Sequence, residues 1–282
     1  MSDTTNGTGL LRRVDGPVAS PGWTQRIEPA SAGWTYVGFT ALRLAAGSSH
    51  REPAAVRERL VLILEGAAEV SVGGAELGVL GSRDSVFEGP PPPEVLVGSG
   101  EAIDIRAVRD SLIVVGSAPL GSGRRTALIR PGEIFAETRG SGNTQRRIHH
   151  LLPAAAKADH LLAFEVYTPG GNWSSFPPHK HDTEDPPREA YLEELYFYRF
   201  VRPTGFAVQR VYTPDGSLDA TITARDGDVV LVPRGYHVVG AASGYDCYYL
   251  NVMAGPNRAW NFTVDPDHRW LMDWDPTRPK GS

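Results

Sequence analysis

The sequence predicts an all-β protein built from two related β domains. Three observations support this. Apolar runs of four to eight residues, rich in Val, Ile, Tyr and Phe, recur along the 282-residue chain, and such runs bounded by turn residues mark strands. The 31 glycines and 23 prolines follow no collagen-like period and punctuate those runs. The pattern of the first half also returns, faintly, in the second.

In chain order, residues 1–9 are polar and read as a flexible tail. A first domain covers 10–135, with strands at 60–64, 103–108 and 112–115. A second covers 136–275, with strands at 161–167, 195–200, 229–232 and 248–253. Residues 276–282 form a second tail. The only stretches with helical character are 52–59 and 153–159, so the spacing suits a β-sandwich or barrel. The repeat runs through 59–64, 67–72, 84–87 and 94–97 in the first copy. The second copy runs through 194–198, 205–211, 228–231 and 237–239. The offset grows from 135 (Leu60 to Leu195) to 143 (Glu94 to His237), the drift that loop insertions produce. The linker falls in 125–142, where Gly, Arg and Thr accumulate.

Composition narrows the function. With 28 Lys and Arg against 33 Asp and Glu, the net charge is −5, and no basic run is present. This argues against nucleic acid and anionic membrane as partners. No apolar stretch approaches a bilayer span and no secretory h-region precedes Gly9. The single cysteine, Cys247, excludes an internal disulfide framework and any multi-cysteine zinc site. A reducing cytoplasm is the expected location, and chemistry falls to His, Asp, Glu, Tyr and Arg.

The informative segment is Gly170-Gly-Asn-Trp-Ser-Ser-Phe-Pro-Pro-His-Lys-His181. On a strand, residues two apart face the same way, so His179 and His181 present two imidazoles together. An acidic pair, Glu193 and Glu194, opens the next aromatic strand. A carboxylate there is costly to bury unless it is paired or ligates a metal, and strand alternation does not choose between the two. His237 follows a Pro233-Arg-Gly235 turn. Three imidazoles and one carboxylate hold a divalent ion while leaving positions open for substrate. Zinc, manganese, iron and nickel all suit such donors.

These residues resemble the two cupin motifs, with departures. Twelve residues (182–193) separate His181 from Glu194, where the common pattern has only a few, and a single residue separates Gly235 from His237. The strings Gly171-Asn-Trp-Ser-Ser…His-Lys-His-Asp182, Glu193-Glu-Leu-Tyr-Phe-Tyr-Arg199 and Val232-Pro-Arg-Gly-Tyr-His237 more specifically resemble the 5-deoxy-glucuronate isomerase family of myo-inositol catabolism. The related 5-keto-4-deoxyuronate isomerases share the build but have a short His-to-Glu gap. The resemblance implies two tandem cupin domains, a bicupin, over roughly residues 10–275. It implies metal ligands His179, His181, Glu194 and His237. It also implies interconversion of 5-deoxy-D-glucuronate and 2-deoxy-5-keto-D-gluconate, with a small sugar acid as partner. A homo-oligomer that covers sheet edges is expected.

Further assignments follow from a uronate substrate. Its carboxylate needs an arginine fork. Arg146, at the entry to the second domain, and Arg258, after its last long strand, are preferred over Arg147, Arg199, Arg210 and Arg234. Tyr196 and Tyr198 share a face with Glu194 on a regular strand. Ser175 shares parity with the histidine pair, and Asn251 is a further hydroxyl partner. No general base is assigned. Asp182, Glu184, Asp185 and Glu189 read as a solvated loop. His149 and His150 face opposite ways, so at least one is outside any site. His160, His268 and Cys247 read as bland. In the first domain Arg59 stands where Glu194 stands, Glu94 where His237 stands, and only His50 precedes them, so that domain is expected to lack metal. Two other classes use this scaffold: oxygen-using cupins, separable by metal identity and oxygen consumption, and sugar-binding cupins, which commonly lose the ligands.

Overall fold

Strand follows strand through the computed structural model, which describes residues 9–14, 16–88, 94–121, 126–152 and 158–274. Helical structure among these residues is limited to four 3-10 turns, of which Pro266–Met272 is the longest. None is long and apolar enough to cross a membrane. The expected terminal tails and most of the expected helix at 153–159 lie outside the described residues. The other expected helix, 52–59, does not form: Ser49–Glu52 and Arg57–Glu65 are strands. Arg57–Glu65 pairs on both sides, with Ser111–Pro119 and Val95–Ser99, and that ladder overrides local helix propensity.

The strands form four sheets. A six-stranded sheet runs Ala127–Ile129, Val95–Ser99, Arg57–Glu65, Ser111–Pro119, Gly38–Leu44, Thr24–Ile27. A four-stranded sheet runs Ser49–Glu52, Ile103–Ala107, Ala68–Val72, Ala75–Leu80. The second half of the chain supplies a seven-stranded sheet: Leu11–Arg12, Val229–Val232, Glu193–Phe200, Cys247–Ala254, Leu161–Thr168, Arg146–His150, Phe135–Arg139. It also supplies a five-stranded one: Asp219–Arg225, Phe206–Tyr212, Tyr236–Ala241, Trp173–Lys180, Thr263–Val264. The eight strands from Gly38–Leu44 to Ser111–Pro119 pair with one another in the same order as the eight from Leu161–Thr168 to Cys247–Ala254. In this order Arg59 pairs with Gly98 and Ser117 where Glu194 pairs with Val232 and Met253. Tyr236–Ala241, which carries His237, takes the place of Ile103–Ala107 rather than that of Val95–Ser99. Glu94 is therefore not the counterpart of His237; matching short valine-rich runs slid the comparison by one strand.

The chain crosses from the first sheets to the second between Ile129 and Phe135, through the 3-10 turn Pro131–Glu133. The expected linker is thus largely strand and turn. Leu11–Arg12 joins the seven-stranded sheet of the second half, against Val229 and Val230.

Three apolar cores follow from strand alternation. One fills the space between the sheets of the first half, around Val61, Ile63, Ile105 and Ile113. A second fills the second half, around Phe164, Tyr196, Tyr198 and Val211. The third joins the halves: Leu60, Leu62 and Val114 from the six-stranded sheet meet Leu195, Phe197, Leu250 and Val252 from the seven-stranded sheet. These strands are buried on both faces, which is why they read as near-continuous apolar runs. The halves approach closely at Gly116, where a Cβ would lie 3.0 Å from Val252. Phe197, fully buried at the junction, is a position where truncation to alanine costs about 3–5 kcal/mol.

Candidate metal centre and substrate cavity

The fold brings His179, His181 and His237 together. One ring nitrogen from each lies within 4.8 Å of the others, and all three residues are buried. His179 is the next-to-last residue of the strand Trp173–Lys180 and pairs with His237 across the five-stranded sheet. His181 lies just past the strand end. Glu194 comes from the facing sheet, and its Oε2 lies 3.0 Å from His181 Nε2 and 3.1 Å from His237 Nε2. Each ring is oriented through Nδ1 by a backbone carbonyl: Pro177 at 3.0 Å, Leu192 at 3.0 Å and Gly235 at 3.4 Å. Tethering the outer nitrogen leaves Nε2 for the cluster, the arrangement that fixes ligand tautomers in metal sites. Asn251 donates to Glu194 Oε1 at 2.8 Å and fixes the carboxylate.

The electrostatics suit a cation. Burial, then the neighbouring rings of His237 and His181, lower His179 to about 3, so it is a neutral donor. Burial alone would raise the Glu194 carboxyl, but the His237 and His181 rings hold it well below the carboxylate range. Burial opposes charge on His181, while its hydrogen bond to Glu194 raises it. The fully buried Nε2 of His237 lies 3.1 Å from Glu194 Oε2 without a well-aligned hydrogen bond, and a bound ion would satisfy it. Three imidazoles and one carboxylate thus fit a divalent ion, and this is the one such cluster of three histidine, cysteine or acidic side chains among the described residues.

Beside the cluster lies a cavity of about 480 Å³, bounded by His179, Glu194, Ser175, Tyr196, Tyr249, Asn251, Arg146 and His150, with apolar walls that include Phe164, Trp260, Phe262 and Trp274. Arg146 is 6% exposed. It donates to Thr144 O at 3.0 Å and Phe176 O at 2.9 Å, and pairs with no carboxylate among the described residues. Burial lowers its pKa. A buried guanidinium facing a cavity without a counter-ion is a site for an anionic ligand.

Of the residues expected at the site, Ser175, Tyr196, Asn251 and Arg146 line this cavity. Tyr198 does not: it is buried in the core and donates to Gln209 at 2.8 Å. Arg258 is also elsewhere, donating to Leu161 O and Leu152 O. Glu193 faces away from the histidine cluster and accepts from the backbone of Thr35, Tyr36 and Val37. Arg199 pairs with Glu65 and Asp226. The acidic gap is solvated only in part. Glu184 is exposed, but Glu189 is buried, and both Asp182 and Glu189 hold Lys180. Asp182 also accepts from Gly235 N at 2.7 Å, bracing the turn before His237.

His150 also bounds the cavity, although sequence reading assigns it no role. Its Nε2 lies 2.9 Å from Glu137, which Arg139 also binds. Although burial pushes Glu137 up, these partners hold it below its usual value. The only signal for His150 was parity: adjacent histidines on a strand face opposite ways, and His149 is the one buried against Glu165.

Four β sheets in which the strand order of the first half recurs in the second, with a His- and Glu-lined cavity in the second half, define the class, an all-β protein of the cupin fold. Solved structures place it there. An oxalate decarboxylase from Lactobacillus farciminis superposes with a TM-score of 0.60 at 12% identity, covering 93% of this chain and 90% of that one. A Bacillus subtilis oxalate decarboxylase with Mn(II) centres gives 0.58 at 12%, covering 86% and 75%. At that identity the likeness concerns fold alone. The model of the KduI/IolB family matches residues 10–271, and the chain belongs to that family. An IolB-like protein from Salmonella typhimurium superposes with a TM-score of 0.89 at 43% identity, covering 93% of this chain and 99% of that one. The 5-deoxy-glucuronate isomerase of Geobacillus thermodenitrificans is 48% identical over 249 residues, 88% of this chain and 90% of that protein. That of Bacillus subtilis is 40% identical over 267 residues, 94% and 98%.

Proposed function

We propose that this protein is a metal-dependent aldose–ketose isomerase that converts 5-deoxy-D-glucuronate to 2-deoxy-5-keto-D-gluconate in cytoplasmic inositol catabolism. The relatives named for this activity support the reaction. The observation that carries it is the pairing, in one cavity, of a four-ligand cluster with the unpaired buried cation Arg146. His179, His181, Glu194 and His237 hold one divalent ion. When bound, the ion polarises the aldehyde and its neighbouring hydroxyl and favours their interconversion. Arg146 takes the carboxylate at the other end of the substrate, while its bonds to Thr144 O and Phe176 O hold the guanidinium in place. Asn251 keeps Glu194 oriented. Phe164, Trp260, Phe262 and Trp274 exclude water, which strengthens every polar contact inside.

The repeated strand order supports two tandem cupin domains, with the ligands in the second and Arg59 in the corresponding position of the first. The exposed Phe135, on the edge strand Phe135–Arg139 of the seven-stranded sheet, supports a homo-oligomer that covers this edge. The test is turnover of 5-deoxy-D-glucuronate by protein loaded in turn with zinc, manganese, iron(II) or nickel, without oxygen, nicotinamide or flavin. The ketose should appear by NMR. No product under any loading, or a strict need for oxygen, would overturn the reading.

A further inference from the structure

Ser175 is the one non-glycine residue among those described with a positive φ, 49°. Such a backbone is strained and persists only where the surroundings enforce it. Here it interrupts the alternation of Trp173–Lys180 and turns the side chain into the cavity. Ser175 Oγ lies 2.9 Å from the Tyr196 hydroxyl and 3.3 Å from that of Tyr249. Tyr196 stands two residues from Glu194 on the same strand face, its ring 5.9 Å from the ring of His237. A chain of three hydroxyls thus runs along the cavity wall beside the ligand cluster.

Resting on the isomerase reading, we infer that Ser175 and Tyr196 carry the hydroxyl proton of the reaction between the two substrate oxygens. Conversion of an aldose to a ketose moves one hydrogen from C2 to C1 and, separately, one proton from the C2 oxygen to the C1 oxygen. The second transfer balances without charging the protein. The C2 hydroxyl gives its proton to Ser175 Oγ, Ser175 gives its own to Tyr196 Oη, and Tyr196 gives its own to the C1 oxygen. The oxygen lone pairs that accept and the O–H bonds that break match one for one, and the reverse reaction runs the chain backwards. Tyr249 holds Ser175 in line. Burial pushes the Tyr249 phenol up to about 12, so it keeps its proton near neutral pH and holds Ser175 as a neutral hydroxyl. The relay serves whether the carbon-bound hydrogen moves as a proton or as a hydride.

Ser175→Gly tests this cleanly, because glycine adopts the same φ without penalty and only the hydroxyl is lost. The expected result is a fall in kcat of roughly 100-fold, the size of a lost positioned proton transfer. Metal content and melting temperature should be unchanged or, for the latter, higher. Affinity for the unreactive alditol of the substrate, measured by calorimetry, should stay within about threefold, since uniform binding is untouched. Tyr196→Phe, which keeps the ring, should show the same split. If both variants keep kcat, or lose only KM, the relay is overturned while the isomerase reading stands. If the wild type fails to turn over the uronate, the isomerase reading itself fails.

Discussion

Glu58 and Glu193 make the same contact in opposite directions. Glu193 accepts from the backbone N–H groups of Thr35, Tyr36 and Val37 at 2.7–2.8 Å. Glu58 accepts from those of Asp159, His160 and Leu161 at 2.6–2.8 Å. Each carboxylate precedes the residue at the ligand position of its own half, Arg59 or Glu194. Each receives the segment that leads into Gly38–Leu44 or Leu161–Thr168 of the other half. Both are 2% exposed, so the exchange is a buried polar clasp at the edge of the apolar junction.

The clasp predicts a separation of roles between adjacent acids. Replacing Glu193 or Glu58 by alanine strands three backbone donors, one of them on a buried residue, and should cost about 1–3 kcal/mol, read as a lower urea midpoint with unchanged metal per folded chain. Glu194→Gln should do the reverse. It removes the charge that balances a divalent ion while leaving Glu193 and the clasp intact, so metal is lost and the midpoint barely moves. Metal analysis beside urea titration checks both. The opposite pattern would exchange the two assignments.

His179→Ala and His237→Ala should each weaken metal binding by at least about 100-fold, more than second-sphere changes usually do, and abolish most turnover. The apolar cores do not pass through the cluster, so circular dichroism and melting of the metal-free variants should match the metal-free wild type. Full metal stoichiometry with full turnover in either variant would move the site elsewhere.

Much of this was readable beforehand, for identifiable reasons. Strands such as Val229–Val232 are buried on both faces, so their apolar runs were unbroken and the fold class was plain. His179 and His181 were readable because a two-residue spacing survives even at a strand end. The choice of Glu194 over Glu193 was not readable from alternation, because both are buried and polar; it depends on which half each faces. Ser175 reaches the cavity through a positive φ that no parity argument contains. Tyr198 obeys parity with Tyr196 but lies deeper in the barrel core. Arg258 sits near the right strand, yet its guanidinium is spent on carbonyls of the junction. Long-range partners of this kind, like Arg83 for Glu165, leave no local trace.

Glu165 gives a pH prediction. It is fully buried and bound by Arg83, His149 and Tyr248. Burial pushes its carboxyl up, but the Arg83 guanidinium and His149 together outweigh this; the carboxyl sits at about 2 against an ordinary 4.5. A folded-state pKa below the unfolded one means stability that is full above about pH 4.5 and is lost as pH falls toward 2. The linkage amounts to roughly 3 kcal/mol. Glu165→Gln leaves Arg83 buried without its partner and should be destabilised near neutrality by about 3–5 kcal/mol. Its stability should then depend less on pH between 4.5 and 2.5 than that of the wild type. Urea titrations across this window measure the difference, and parallel slopes would remove Glu165 as the acid-sensitive group.

Arg146 gives the sharpest test of substrate orientation. If its guanidinium takes the carboxylate, Arg146→Met should raise KM for the uronate by about 100-fold or more, in line with the 2–5 kcal/mol lost when one partner of a buried charge pair is removed. Lysine should not restore it, because an ammonium lacks the planar fork. The discriminating comparison uses the 5-deoxyhexose that carries a hydroxymethyl in place of the carboxylate. The wild type should handle this neutral sugar poorly, and Arg146→Met should handle it about as well as the wild type does, so that the two losses are not additive. Metal content should stay constant throughout, since Arg146 touches no ligand. An equal loss on both sugars would mean that Arg146 only braces Thr144 and Phe176, and that the carboxylate binds elsewhere in the cavity.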